Sequence, residues 1–182
     1  MWKNIPNYIT LVRLILIPFF INLMNYDYYR EAFIVFLVAG ITDALDGMIA
    51  RLTKTQSEVG AFLDPMADKL LIVSAFVTLA LLEKLPVWLV IIVVSRDVIL
   101  ALGSLVLSLL GYRLKINPSL LGKATTVMQL LVIALTLVIV AYGVETRIIG
   151  AAYWIAAALT IASGMQYLMR GMHMVGQGEG PA

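Results

Sequence analysis

The sequence contains no cysteine, which excludes disulfides, thiolate-bound metals and a cysteine nucleophile. Histidine is almost as scarce: the single His173 lies near the C-terminal end, so neither a Ser-His-Asp arrangement nor a histidine-rich zinc site is expected. Charged residues make up only 13% of the chain, and the formal net charge of +2 comes without any basic tract, so no nucleic-acid partner is expected. Any chemistry must therefore come from carboxylates, lysine, arginine and metal.

What the chain does have is hydrocarbon. Of its 182 residues 62% are hydrophobic, and the mean hydropathy is +0.96, far more apolar than a soluble domain and suited to a bilayer. A membrane-crossing helix needs roughly 20 mostly apolar residues. Six stretches meet that requirement, at 5–24, 31–51, 60–82, 87–110, 120–142 and 147–169. Breakers such as Asn25, Pro86, Gly111, Asn117, Pro118 and Gly143 lie in the short connections, where helices end. The expected fold is an all-α membrane protein of six transmembrane helices, with one membrane domain over residues 1–172 and a disordered polar tail over 173–182. Arg13 interrupts the first apolar run and no small-residue cleavage pattern follows, so the first span is not expected to be a cleaved signal peptide.

With the N-terminus inside, Lys3, Arg51, Lys54, Arg113, Lys115, Lys123 and Arg170 fall on the inner side and Arg30, Lys84 and Arg147 on the outer side. The positive-inside rule then places both termini in the cytoplasm. Aromatic residues including Trp2, Tyr26, Tyr28, Tyr29, Trp88 and Tyr142 gather near span ends, as membrane belts or as ordinary packing.

The most informative segment reads Asp43-Ala-Leu-Asp46-Gly47-Met-Ile-Ala50-Arg51, then eight residues, then Gly60-Ala-Phe-Leu-Asp64-Pro-Met-Ala-Asp68. On helices, 43, 46, 47, 50 and 51 share one face and 60, 64 and 68 share another. A short polar connection over 52–59 makes the two helices antiparallel neighbours whose acidic faces can meet in the inner half of the spans, forming a polar cavity there. Four uncompensated carboxylates would cost about 2.5 to 3.5 kcal/mol each in the bilayer. Two hard dications, Mg²⁺ or Mn²⁺, take all-oxygen ligands and would neutralise them. Gly47 and Gly60 leave room for a ligand beside the backbone, Ala50 keeps the wall low, and Arg51 offers a bidentate fork for phosphate. The blander alternative pairs the aspartates with Arg13, Lys69 or Arg96, which also lie within spans. A proton or cation transporter is the functional rival, although no acidic residue continues the path outward, and a noncatalytic membrane scaffold is a third reading.

The pattern Asp43-x₂-Asp46-Gly47-x₂-Ala50-Arg51-x₈-Gly60-x₃-Asp64-x₃-Asp68 resembles the signature of the CDP-alcohol phosphatidyltransferase family, and the opening Asn4-Ile-Pro6-Asn7-Tyr-Ile-Thr10-Leu-Val-Arg13 is similar as well. The resemblance implies that Asp43, Asp46, Asp64 and Asp68 bind two divalent ions, with Asp68 also the general base, and that Gly47, Ala50, Arg51 and Gly60 line the CDP pocket. It further implies CDP-diacylglycerol as donor, a lipid or glycerol phosphate as acceptor, a homodimer among membrane lipids, and a place in the bacterial inner membrane.

Arg13, Lys69, Arg96 and Lys123 are the expected contacts to acceptor or phosphate. Asn4-Ile-Pro6-Asn7 and Asp64-Pro-Met-Ala-Asp68-Lys69 resemble the glycerol branch of the family. Ser95-Arg96-Asp97 and Pro118-Ser-Leu-Leu-Gly122-Lys123 look like the CMP-forming cardiolipin synthases, and Gly103-Ser104-Leu105 carries no cation, so phosphatidylglycerol is the favoured acceptor. Glycerol 3-phosphate is the alternative, because Ser163-Gly164-Met-Gln166-Tyr167 resembles the phosphatidylglycerophosphate synthases.

Overall fold

A chain with no water around it must satisfy its own backbone, and the helix does so within one segment. The computed structural model accordingly has six helices: α1 (Ile5–Asn25), α2 (Tyr29–Thr53), α3 (Glu58–Leu81), α4 (Val87–Leu109), α5 (Leu120–Tyr142) and α6 (Ile148–Gly176). It describes the backbone of residues 5–53, 58–111, 119–144 and 148–176 and the side chains of 11–42, 66–111, 119–144 and 148–173, and there is no strand among the described residues. Every expected span has its helix. Helix α6 runs beyond residue 169 and through His173 to Gly176, with Gly171 accommodated inside the helix, where a lone glycine costs only about 1 kcal/mol. The expected polar tail thus loses its first residues to the helix, and 177–182 lie outside the described residues.

Among the described residues, Val87–Leu109, Leu120–Tyr142 and Ile148–His173 are long and apolar enough to cross a membrane, and Leu11–Asn25 is apolar but shorter. At about 1.5 Å per residue, the 25 residues of α2 and 24 of α3 also exceed a hydrocarbon core roughly 30 Å thick. Pro18 lies within α1, where it removes one backbone bond that membrane helices tolerate.

The chain divides into two compact units. In the first, Met1–Leu85 with Ile133–Thr146, α1 packs on α2 and α3. Helical spacing puts Ala32, Phe36 and Ala39 of α2 and Ala67, Leu71, Ala75 and Leu79 of α3 on buried faces, with Phe20 and Met24 of α1 fully buried. The Phe20 and Phe36 rings are tilted at 48° with centroids 6.2 Å apart. Helices α1 and α3 end alike, with Tyr28 N–H donating to the Leu23 carbonyl (2.9 Å) and Lys84 N–H to the Leu79 carbonyl (2.8 Å). Asp27 (φ 63°) and Glu83 (φ 58°) take the left-handed position of these motifs. At this end Lys84 lies over the Tyr29 ring and Arg30 over the Tyr142 ring, cations and aromatics together as at a membrane interface.

In the second unit, Pro86–Val132 with Arg147–Ala182, α4 packs on α6, and Trp88 stacks on Trp154 at 4.8 Å. Its interior mixes apolar Leu89, Val93, Val132 and Ala156 with buried Arg96, Ser119, Thr125, Gln129, Thr160 and Ser163, while Leu102, Leu105, Leu109, Ile155 and Leu168 are exposed. Buried polar groups beneath so apolar a surface suit hydrocarbon surroundings.

Candidate active site

Asp43, Asp46, Gly47, Ala50 and Arg51 fall in the C-terminal part of α2, and Gly60 and Asp64 in the first turns of α3. The backbone is helical at all seven positions, the condition for each set to share a face. Their side chains lie outside the described residues.

Asp68 is described, and its surroundings add something the sequence pattern did not carry. Arg13 sits on the face of α1 that also buries Phe20 and Met24, and is itself 2% exposed. A guanidinium buried so deeply needs an anionic partner, and Nη1–H of Arg13 donates to Oδ1 of Asp68, whose side chain is half-exposed. The alternative of pairing with a span's basic residue is therefore realised at Asp68, the one of the four aspartates whose side chain is described. It does not compete with metal binding, because a carboxylate offers about four lone-pair sites. Lys69, the next residue on α3, is half-buried.

The donor set fits a hard dication. Asp68 supplies a carboxylate at the edge of a buried region, and the chain has no thiol to draw a softer metal. Among the described residues no three acidic or histidine side chains gather, since Asp43, Asp46 and Asp64 are outside that set.

Arg96 belongs to a separate cluster within the second unit. It is 9% exposed; Nη1–H donates to Oδ1 of Asp97 (2.8 Å) and Nη2–H to Oγ of Ser163 (2.7 Å), and its guanidinium lies 5.9 Å from the centre of the Tyr167 ring. A Cβ added to Gly164 would stand 3.3 Å from Cγ of Arg96, so glycine there lets the arginine stem lie against α6. One turn away, Nε2–H of Gln129 donates to Oγ1 of Thr160 (3.3 Å), and the Thr125 hydroxyl donates to the Leu159 carbonyl (3.1 Å). Ser119 caps α5, its Oγ accepting from Gly122 N–H at 3.0 Å. Lys123 follows on an exposed position. Ser163, Tyr167, Gln129 and Thr160 were not singled out from the sequence as site residues. The available signal was a polar stripe at 160, 163, 164 and 167, one face of a helix.

A model of the CDP-alcohol phosphatidyltransferase family matches residues 3–162. A CDP-diacylglycerol--glycerol-3-phosphate 3-phosphatidyltransferase of Haemophilus influenzae is 40% identical over 91% of this chain and 91% of its own length. Proteins of the same name from Bacillus subtilis and Sodalis glossinidius are 33% and 34% identical, covering 92% and 95% of this chain and 94% and 97% of their own.

Proposed function

The chain belongs to the CDP-alcohol phosphatidyltransferase family, and from that premise we propose that it transfers the phosphatidyl group of CDP-diacylglycerol to glycerol 3-phosphate, releasing CMP. The observation carrying the acceptor is the shared name of relatives that match nearly end to end. They favour glycerol 3-phosphate over the phosphatidylglycerol expected from Ser95-Arg96-Asp97 and from the missing cation at 103–105. That missing cation has little weight, because a Cβ on Gly103 would meet no atom of the described residues within 4 Å, whereas Arg96 is enclosed.

Asp43, Asp46, Asp64 and Asp68 would hold two divalent ions, which would neutralise pyrophosphate charge and make CMP a better leaving group. Gly47, Ala50, Arg51 and Gly60 border the CDP moiety. Asp68 takes the proton of the acceptor hydroxyl as that oxygen bonds to the phosphorus bearing diacylglycerol and the pyrophosphate P–O bond breaks. Arg13 keeps the Asp68 carboxylate in place. Arg13, Lys69, Arg96 and Lys123 are the cations available to phosphate groups. All six helices are crossings of one membrane domain, residues 1–172, with both termini cytoplasmic in a bacterial inner membrane; the enzyme is a homodimer.

The test is CMP release by purified protein given CDP-diacylglycerol, Mg²⁺ or Mn²⁺, and each acceptor. Release with glycerol 3-phosphate, lost on chelation and in Asp64→Asn by at least about a hundredfold, supports the reading. Release only with phosphatidylglycerol restores the cardiolipin assignment, and ion flux without any release makes the chain a transporter.

A further inference from the structure

Arg96 is 9% exposed, and two of its nitrogens are bonded, to Asp97 and to Ser163. Its Nε–H meets no acceptor among the described residues. A buried donor left unmet costs free energy, and an arginine fork prefers the planar, multi-toothed geometry of phosphate. The fork is held in one orientation from three sides of the second unit. Asp97 neighbours it on α4, the Ser163 hydroxyl accepts from Nη2 across to α6, and the Tyr167 ring lies against the guanidinium one turn further along α6. Tyr167 also reaches α5, where a Cβ on Gly122 would stand 3.4 Å from its hydroxyl oxygen.

We infer that Ser163 and Tyr167 are positioning residues that fix the Arg96 fork for the phosphate of the acceptor, with Gly164 the spacer that lets the arginine stem lie against α6. This rests on the reading of glycerol 3-phosphate as acceptor. Arg96 touches the phosphate; Ser163 and Tyr167 act through it. The segment Ser163-Gly164-Met-Gln166-Tyr167 thereby makes Arg96 a rigid receptor for a phosphate monoester instead of a mobile cation.

Steady-state kinetics of the full chain in detergent micelles separate the possibilities. Ser163→Ala should raise the KM for glycerol 3-phosphate by roughly tenfold, the worth of one charge-assisted hydrogen bond, with kcat and the KM for CDP-diacylglycerol unchanged. Ser163→Thr, which keeps the hydroxyl, should restore the KM. Tyr167→Leu should raise it and Tyr167→Phe should not, since the ring face and not the hydroxyl meets the guanidinium. Arg96→Gln should raise it most. If Arg96→Gln raises the KM while Ser163→Ala and Tyr167→Leu leave it alone, the positioning role is overturned and the acceptor reading stands. If Arg96→Gln leaves the KM unchanged during turnover of glycerol 3-phosphate, Arg96 is no acceptor contact and the inference falls with it. Turnover with phosphatidylglycerol alone defeats the acceptor reading itself. Thermal unfolding of each variant guards against misfolding, and a fall in kcat with unchanged KM in Ser163→Ala means a merely structural bond, which also overturns the role.

Discussion

Arg13 and Asp68 form the pair with the most to lose from a single substitution. Breaking a fully buried ion pair from one side costs about 3 to 5 kcal/mol, but the Asp68 side chain is 38% exposed, so part of its charge is hydrated. Arg13→Met should therefore destabilise by about 2 kcal/mol, a drop of roughly 4 to 8 °C in Tm for a chain of this size. Asp68→Asn should cost as much or more, since it strands the more deeply buried charge. The double variant should fall well short of the sum, because once one partner is gone the second substitution removes an uncompensated charge. Additive losses in a thermal-unfolding cycle would show that the two groups do not depend on one another. At this scale the sequence marks the four aspartates as candidates through their spacing, because a helix converts i, i+3 and i+4 directly into a face. It offers Arg13 among the basic partners of the aspartates but does not single out Asp68, a partnership spanning 55 positions, since only the packing of α1 on α3 brings the two together.

The elements were the most legible part, for a physical reason: in hydrocarbon a span must be a helix, so length and composition decide both its existence and its type. The ends were harder to read. Helices α1 and α3 close on Asp27 and Glu83 in the left-handed region, where sequence rules expect glycine, and α6 passes its expected end straight through Gly171. Ser119 is the clearest case of a local signal with a measurable consequence. Its Oγ accepts from Gly122 N–H, satisfying one of the open donors that begin α5. Ser119→Ala should lower stability by about 1 kcal/mol, and Ser119→Asp, another good cap, should retain most of it. Equal Tm values for wild type and Ser119→Ala would mean that the cap contributes nothing. Gly143, at φ 65° after α5, should resist substitution for the opposite reason: Gly143→Ala places a Cβ in a conformation that L-residues avoid, at a cost of about 1 to 2 kcal/mol.

For the whole molecule the decisive quantity is sidedness, because a phosphatidyltransferase must face the leaflet and compartment that supply its nucleotide donor. The distribution of Lys and Arg assigns the connection between α2 and α3 to the cytoplasm and those after α1 and α3 to the outside. In the structure the ends of α1 and α3 and the last turn of α5 all lie in the first unit, with Arg30 over Tyr142 and Lys84 over Tyr29, and this is the end that the positive-inside rule assigns to the outside. The absence of cysteine makes the orientation directly measurable, since every introduced thiol is the only one present. Glu83→Cys should react with a membrane-impermeant maleimide in intact cells, whereas Thr55→Cys should react only after the membrane is opened or inverted. The reverse pattern would turn the molecule over, placing the aspartates of α2 and α3 near the outer leaflet, away from a cytoplasmic nucleotide. Labelling of both sites in intact cells would mean that α3 does not cross at all, and the acidic faces of α2 and α3 would lose the bilayer environment that makes metal compensation necessary.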